Sequence, residues 1–148
     1  STIHNDYDYC IIDCPPDIDM ATVNALAAAD WVIIPVDCDE WAMDGMDEIR
    51  EQVDAIRDAY NPQLEVMGVL ATKYTRGRYS VDTINEMANM DLPTFCNPDN
   101  SILRIDYSVK VKEAKARHLP VHKVCRDIKT SVQYKALAQL VKKCVEGE

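Results

Sequence analysis

Glycine is scarce in this chain. Four occur in 148 residues (Gly45, Gly68, Gly77, Gly147), and none lies in the spacing of a phosphate-cradling loop. Long apolar runs are missing too. "WVIIPV" (31–36) is strand-sized, far short of the ~20 residues of a membrane helix, so no membrane association is expected. The opening residues show no basic stretch followed by an apolar one, so they do not read as a secretory signal. Six cysteines (10, 14, 38, 96, 125, 144) are scattered, with no C-x-x-C. They read as reduced, buried thiols of a cytoplasmic protein rather than a disulfide framework. A zinc site is not expected either, since one strand and its exit would have to supply both Cys10 and Cys14, with no second pair in view. Basic side chains are nearly absent from residues 1–65, which hold 2 against 16 acidic, net −14. Residues 66–148 hold 14 basic and 9 acidic, net +5, which brings the chain to −9. An even polyanion would repel nucleic acid. This uneven one either presents a basic face to it or has two differently solvated faces.

What is present is a sequence of one domain's length with an ordinary globular composition. "YCIID" (9–13) is a nearly continuous apolar run, the pattern of a strand buried on both faces. Asp19 is placed to cap a helix through Ala29, with Met20, Val23, Leu26 and Ala27 inward. Residues 31–36 read as a second buried strand. A helix is expected over 41–60, its apolar face made by Met43, Met46, Ile49, Val53, Ile56 and Tyr60; "NP" at 61–62 stops it. "LEVMGVLAT" (64–72) reads as a third strand and "KYTRGR" as a polar loop. Ser80 then caps a helix to Met90, with Val81, Ile84, Met87 and Ala88 inward. "LPTFC" (92–96) reads as a short fourth strand and "NPDNS" as a turn. A short helix over 105–117, an extended connector "LPVHKV", and a last helix over 131–145 complete the chain. That last helix turns Leu137, Leu140, Val141, Cys144 and Val145 inward. Strands this apolar alternating with helices predict an α/β fold: a parallel sheet with right-handed crossovers and helices on both faces. Chemistry in such sheets lies beyond the carboxyl ends of the strands, where Asp13, Asp37 and Lys73 fall.

These stretches resemble a known family in order. "YDYCIIDCPPDIDMATVNALAAADWVIIPVDCDEWAMDGMDEI" is similar to the ParA/Soj/MinD-type P-loop ATPases, with their D-x-P-P strand end, N-A-L and A-A-D helix and V-I-I-P-V strand. "VMGVLATKYTRGRYSVDTINEM", "SILRIDYSVKVKEAKARHLPV" and "QYKALAQLVKK" resemble the family's later segments. Within the group the likeness is closer to plasmid and chromosome partition ATPases than to MinD, since no membrane-seeking amphipathic tail follows the last helix. The departure is at the other end. The family's K-G-G-x-G-K-T-T loop is absent, so the chain looks like the C-terminal part of such an ATPase: a remnant, a truncated gene or half of a split pair.

The resemblance implies a partial doubly wound parallel sheet, P-loop NTPase-like and Rossmann-like, in three α/β/α layers. It implies that Asp13 is the Walker B aspartate, holding Mg²⁺ through water while the metal bridges nucleotide phosphates. Cys14, Pro15 and Pro16 would form the switch segment, stiffened because proline fixes φ. Thr72 and Lys73 fall where the family's adenine contacts begin. Arg76, Arg78 and Arg104 are the implied DNA-binding residues, and Lys110, Lys112, Lys115 and Arg117 would widen the patch; contacts of this kind go to phosphates and read no sequence. In the intact family ATP and Mg²⁺ drive dimerisation and non-specific DNA binding, and a ParB-type protein stimulates hydrolysis. The expected partners are therefore a second copy (homodimer or domain swap), a ParB-type protein and DNA, in the cytoplasm or on the nucleoid. Lacking the loop, this chain alone is expected to bind no nucleotide tightly and to be inactive. The alternative is a non-enzymatic interaction module, or half of a split ATPase, pairing with another chain through the unpaired edge left beside the strand of Asp13. Iron-protein and cobyrinate amidotransferase relatives form a further branch, although Cys10 and Cys14 lack the glycine-flanked setting of a cluster ligand. His4, His118 and His122 read as surface residues, and Trp31 and Trp41 as packing residues.

Overall fold

A computed structural model of the chain describes residues 6–15, 19–40 and 45–147. Three strands, β1 (Trp31–Asp37), β2 (Glu65–Tyr74) and β3 (Arg104–Asp106), form one parallel sheet in the order β1-β2-β3. Six helices accompany them among the described residues: α1 (Met20–Ala28), α2 (Met46–Ala59), α3 (Arg78–Asn89), α4 (Val109–Ala116), α5 (Val121–Val124) and α6 (Lys129–Glu146). None of these is long and apolar enough to cross a membrane.

Side-chain caps start two of these six helices. Asp19 caps α1, its Oδ1 accepting from the N–H groups of Ala21 and Thr22 at 2.9 and 3.0 Å, which satisfies two donors a helix start leaves open. Ser108 caps α4 in the same way, through the N–H of Lys110. Asn61 fastens the turn after α2 onto α1, its Nδ2 donating to the carbonyls of Leu26 and Ala29.

The alternation of β-strand side chains then assigns the layers. Ile34, Val36, Val69 and Ala71 pack with Met46 of α2 and Met87 of α3 on one face. Leu26 of α1 meets Val53 and Ile56 of α2 beside Leu64. On the opposite face Leu70, Leu103, Ile105 and Phe95 pack against Ala136, Leu137, Leu140 and Val141 of α6. Helices therefore cover both faces: α2 and α3, which follow β1 and β2 in a sheet ordered β1-β2-β3, lie on one, and α6 lies on the other. Leu64, Val69 and Leu103 are essentially sealed from solvent, each worth roughly 1.5–3 kcal/mol of apolar burial. An irregularity between Val32 and Ile33 of β1 leaves Met67 of β2 as an extra residue, so Met67 and Gly68 both lie on the α6 face.

Several expectations are corrected. The strand expected at 9–13 is not formed: residues 6–15 belong to no strand and are exposed throughout, Ile11 by 93%. A strand exists only with a neighbour to complete its hydrogen bonds, and among the described residues none pairs with this one. The fourth strand at 92–96 is reduced to isolated bridges, Val69 with Thr94 and Cys96 with Ile102. Residues 104–106, the first of which fell outside and the others inside an expected helix, form β3, and that helix starts only at Val109. "VHKV" is helical rather than extended. Ser80 lies inside α3, whose cap is Gly77. Met20, Tyr60, Val81, Ala88, Cys144 and Val145 point to solvent rather than inward. Of six thiols only Cys38 is buried, while Cys10, Cys14, Cys96 and Cys144 are exposed, and all six are free. Met43 and Trp41 lie outside the described residues.

Candidate functional site

Parallel pairing brings the carboxyl ends of the three strands to one edge. Asp37 is level with Thr72, Ala71 with Arg104, and Tyr74 with Asp106. The polar side chains of that edge form two joined groups.

The first lies between β1 and β2. Thr72 Oγ1 is 2.6 Å from Asp37 Oδ1 and 3.2 Å from the Val36 carbonyl. Lys73 Nζ donates to Asp37 Oδ2. Partial burial pushes the Asp37 carboxyl up, but the hydrogen bonds from Lys73 and Thr72 and the charge of Lys73 outweigh it and hold the group below the ordinary value. The same bond holds the Lys73 ammonium above its ordinary value. Lys73 has a left-handed backbone, φ 52, which a non-glycine residue adopts only where its surroundings enforce it. Cys38 follows directly and is buried. Burial first, then the charge of Asp37, lift its thiol to about 11. Ser80 ties α3 to this edge: its Oγ accepts from the N–H of Thr75 at 3.1 Å and donates to the Cys38 carbonyl at 3.3 Å.

The second group lies between β2, β3 and α6. Asp106 Oδ2 takes Lys129 Nζ at 2.6 Å, and its Oδ1 takes Gln133 Nε2 at 2.9 Å. Gln133 Oε1 accepts in turn from the Asp106 N–H at 3.0 Å. Burial raises the Asp106 carboxyl, and the bonds from Lys129 and Gln133 more than reverse that. The Arg104 guanidinium lies over the Tyr74 ring, 4.0 Å from its centroid, with Nε 3.8 Å from Asp106 Oδ1.

The structure thus gathers Thr72, Lys73 and Arg104 on one edge. Arg76 and Arg78 lie beyond it, exposed, between β2 and the first turn of α3; Arg78 pairs with Asp82 at 3.5 Å. Asp13, Cys14 and Pro15 lie on the exposed segment without a strand, and Asp13 makes no hydrogen bond or ion pair among the described residues. Pro16 lies outside the described residues. Tyr74, Asp106, Lys129 and Gln133 were not anticipated. Asp106 had a signal in "RIDYS" (104–108) after an apolar pair, which reads equally as a helix start until β3 is seen; Tyr74, Lys129 and Gln133 had none.

A magnesium ion takes six oxygens and commonly keeps several waters. Among the described residues no three His, Cys, Asp or Glu side chains gather as a metal cage. Asp13 offers one carboxylate, and no glycine-rich loop is present to hold the phosphates that would supply the other ligands. The described residues do not by themselves fit a magnesium nucleotide.

A family model described as an AAA domain matches residues 1–66. The chromosome partitioning protein ParA of Caulobacter vibrioides is 33% identical over 115 residues, 78% of this chain and 42% of that protein. The sporulation initiation inhibitor protein Soj of Bacillus subtilis is 37% identical over 86 residues, 57% of this chain and 34% of that protein. Among solved structures, cobyrinic acid a,c-diamide synthase from Mycobacterium smegmatis with bound ATP analog and magnesium superposes with a TM-score of 0.76 at 27% identity, covering 99% of this chain and 52% of that one. The chain spans at most about half the length of the curated relatives it matches.

Proposed function

The chain belongs to the ParA/Soj/MinD-type P-loop ATPase family, and on that premise we propose that its 148 residues are the Walker B, switch and DNA-contacting part of a partition ATPase. The observation that carries this reading is the similarity to proteins named for chromosome partitioning, which runs through most of the chain in the Caulobacter case. Asp13 is the magnesium-associated carboxylate, Cys14, Pro15 and Pro16 the switch, and Thr72 and Lys73 the adenine side. Arg76, Arg78 and Arg104 contact DNA phosphates. Longer relatives would act as nucleotide-dependent dimers, with DNA and a ParB-type protein as partners. The superposed synthase, whose structure holds an ATP analog and magnesium, supports a nucleotide end to the sheet; the sequence relatives favour partitioning over amide synthesis.

DNA binding tests this directly. The 148-residue chain, titrated with fluorescent duplexes of unrelated sequence, is expected to bind them equally. Three arginine–phosphate contacts predict a slope of log K against log salt of about −3. No binding at low salt, or a strong preference for one duplex, overturns the DNA reading. Magnesium-dependent phosphate release from ATP is expected to be absent, because nothing in these residues cradles the phosphates; measurable turnover overturns that part.

A further inference from the structure

Of the three arginines assigned to DNA, Arg104 is the one packed into the fold, and we propose that Tyr74, Asp106 and Gln133 are its positioning residues, holding the guanidinium so that its terminal nitrogens meet a phosphate of the DNA backbone. This inference rests on the reading that Arg104 contacts DNA.

A guanidinium has five N–H groups and no acceptor. Arg104 Nε is buried and has no hydrogen-bond partner. Its nearest carboxylate oxygen, on Asp106, is 3.8 Å away, an ion-pair distance rather than a hydrogen bond. Asp106 is not free to close that gap, because Lys129 and Gln133 occupy its two oxygens and Gln133 also grips its backbone N–H. The fold therefore pins the carboxylate beside Arg104 without letting it take the arginine's protons. On the other side, Tyr74 is half-buried against the core of the sheet. Its ring is a fixed platform under the guanidinium, well inside the distance at which a cation is attracted to an aromatic face.

An arginine kept only for structure spends its donors on protein acceptors, since a desolvated donor left unpaired is costly. Arg104 does the opposite. It is oriented by a ring and by a neighbouring charge, neither of which consumes its terminal N–H groups. Among the described residues none of those groups has a hydrogen-bond acceptor. A planar fork with both prongs open suits the two oxygens of a phosphodiester.

Duplex binding is measured over a range of salt for Arg104→Ala, Tyr74→Leu, Tyr74→Phe and Gln133→Leu, with circular dichroism melts to confirm folding. Arg104→Ala is expected to flatten the salt slope by about one. Tyr74→Leu and Gln133→Leu are expected to weaken binding about fivefold, whereas Tyr74→Phe, which keeps the ring, binds as the parent does. In an Arg104→Ala background Tyr74→Leu and Gln133→Leu should cost nothing further, because their effect runs through the arginine. Equal losses in that background, or no loss from either variant alone, overturn the positioning role while leaving Arg104 as a DNA contact. If Tyr74→Leu does not fold, the α6 variant Gln133→Leu decides the matter. Parent-like binding by Arg104→Ala overturns the DNA contact and the positioning with it. Inorganic phosphate is titrated into the same variants at matched ionic strength: if it binds the parent, and Arg104→Ala abolishes that binding while leaving duplex binding and its salt slope unchanged, the site serves a free phosphate and the DNA assignment falls.

Discussion

Cys38 and its five fellow thiols show how far a single residue's chemistry depends on its place. Cys38 leaves β1 into a buried position beside Asp37, and its thiol is held near 11. At pH 8 only about a thousandth of it is thiolate, the form that reacts. Iodoacetamide at that pH is therefore expected to label Cys10, Cys14, Cys96 and Cys144 while sparing Cys38 until denaturant is added. Peptide mass spectrometry reads this out, and labelling of Cys38 at the pace of the exposed thiols would refute the burial. The sequence placed several cysteines inside apolar runs and so suggested burial for more than one. An apolar run is buried only if its element is covered, and the run around Cys10 is not.

At the scale of elements, close packing can be tested where β2 passes Phe95. A Cβ on Gly68 would come 3.0 Å from the Phe95 ring, and that ring is itself buried between Leu70, Leu103 and Ile105. Gly68→Ala is expected to cost about 1–3 kcal/mol by overpacking. Phe95→Leu in that background should recover part of the loss, because the smaller side chain vacates the space. Urea unfolding measures both, and a neutral Gly68→Ala would show that the ring moves freely. The longer elements were legible before the structure. The three- and four-residue spacing of Met46, Ile49, Val53 and Ile56 marks α2 unmistakably, and the apolar runs mark β1 and β2. What was illegible is short. β3 has three residues and only one, Ile105, fully inward, too few to show a period. Helix-end residues such as Met20, Tyr60 and Val145 fit the period yet overhang the layer they should cover, so periodicity alone assigned them wrongly.

For the whole molecule, a parallel sheet gathers strand ends, and Asp37, Thr72 and Lys73 meet on one edge for that reason. Arg104 joins them only through β3, which the sequence did not reveal. Asp13 was expected on the same edge, and its absence has one cause: its strand has no neighbour among the described residues. The separation of charge, net −14 in residues 1–65 and +5 thereafter, also belongs to this scale. An evenly spread charge of −9 would repel a polyanion throughout, and this uneven one weakens that repulsion over residues 66–148. The bare stretch from Asp6 to Pro15 has a further consequence, in how the protein would be cut. Proteases need several residues in an extended, accessible form, and a packed sheet denies them that. Chymotrypsin at low dose should therefore cleave first after Tyr7 and Tyr9, both exposed, well before it reaches the sealed Phe95. A first cut inside the sheet would mean that the stretch is covered in solution. The expected trimming would remove the two tyrosines and leave Asp13 as the fourth residue of the larger product.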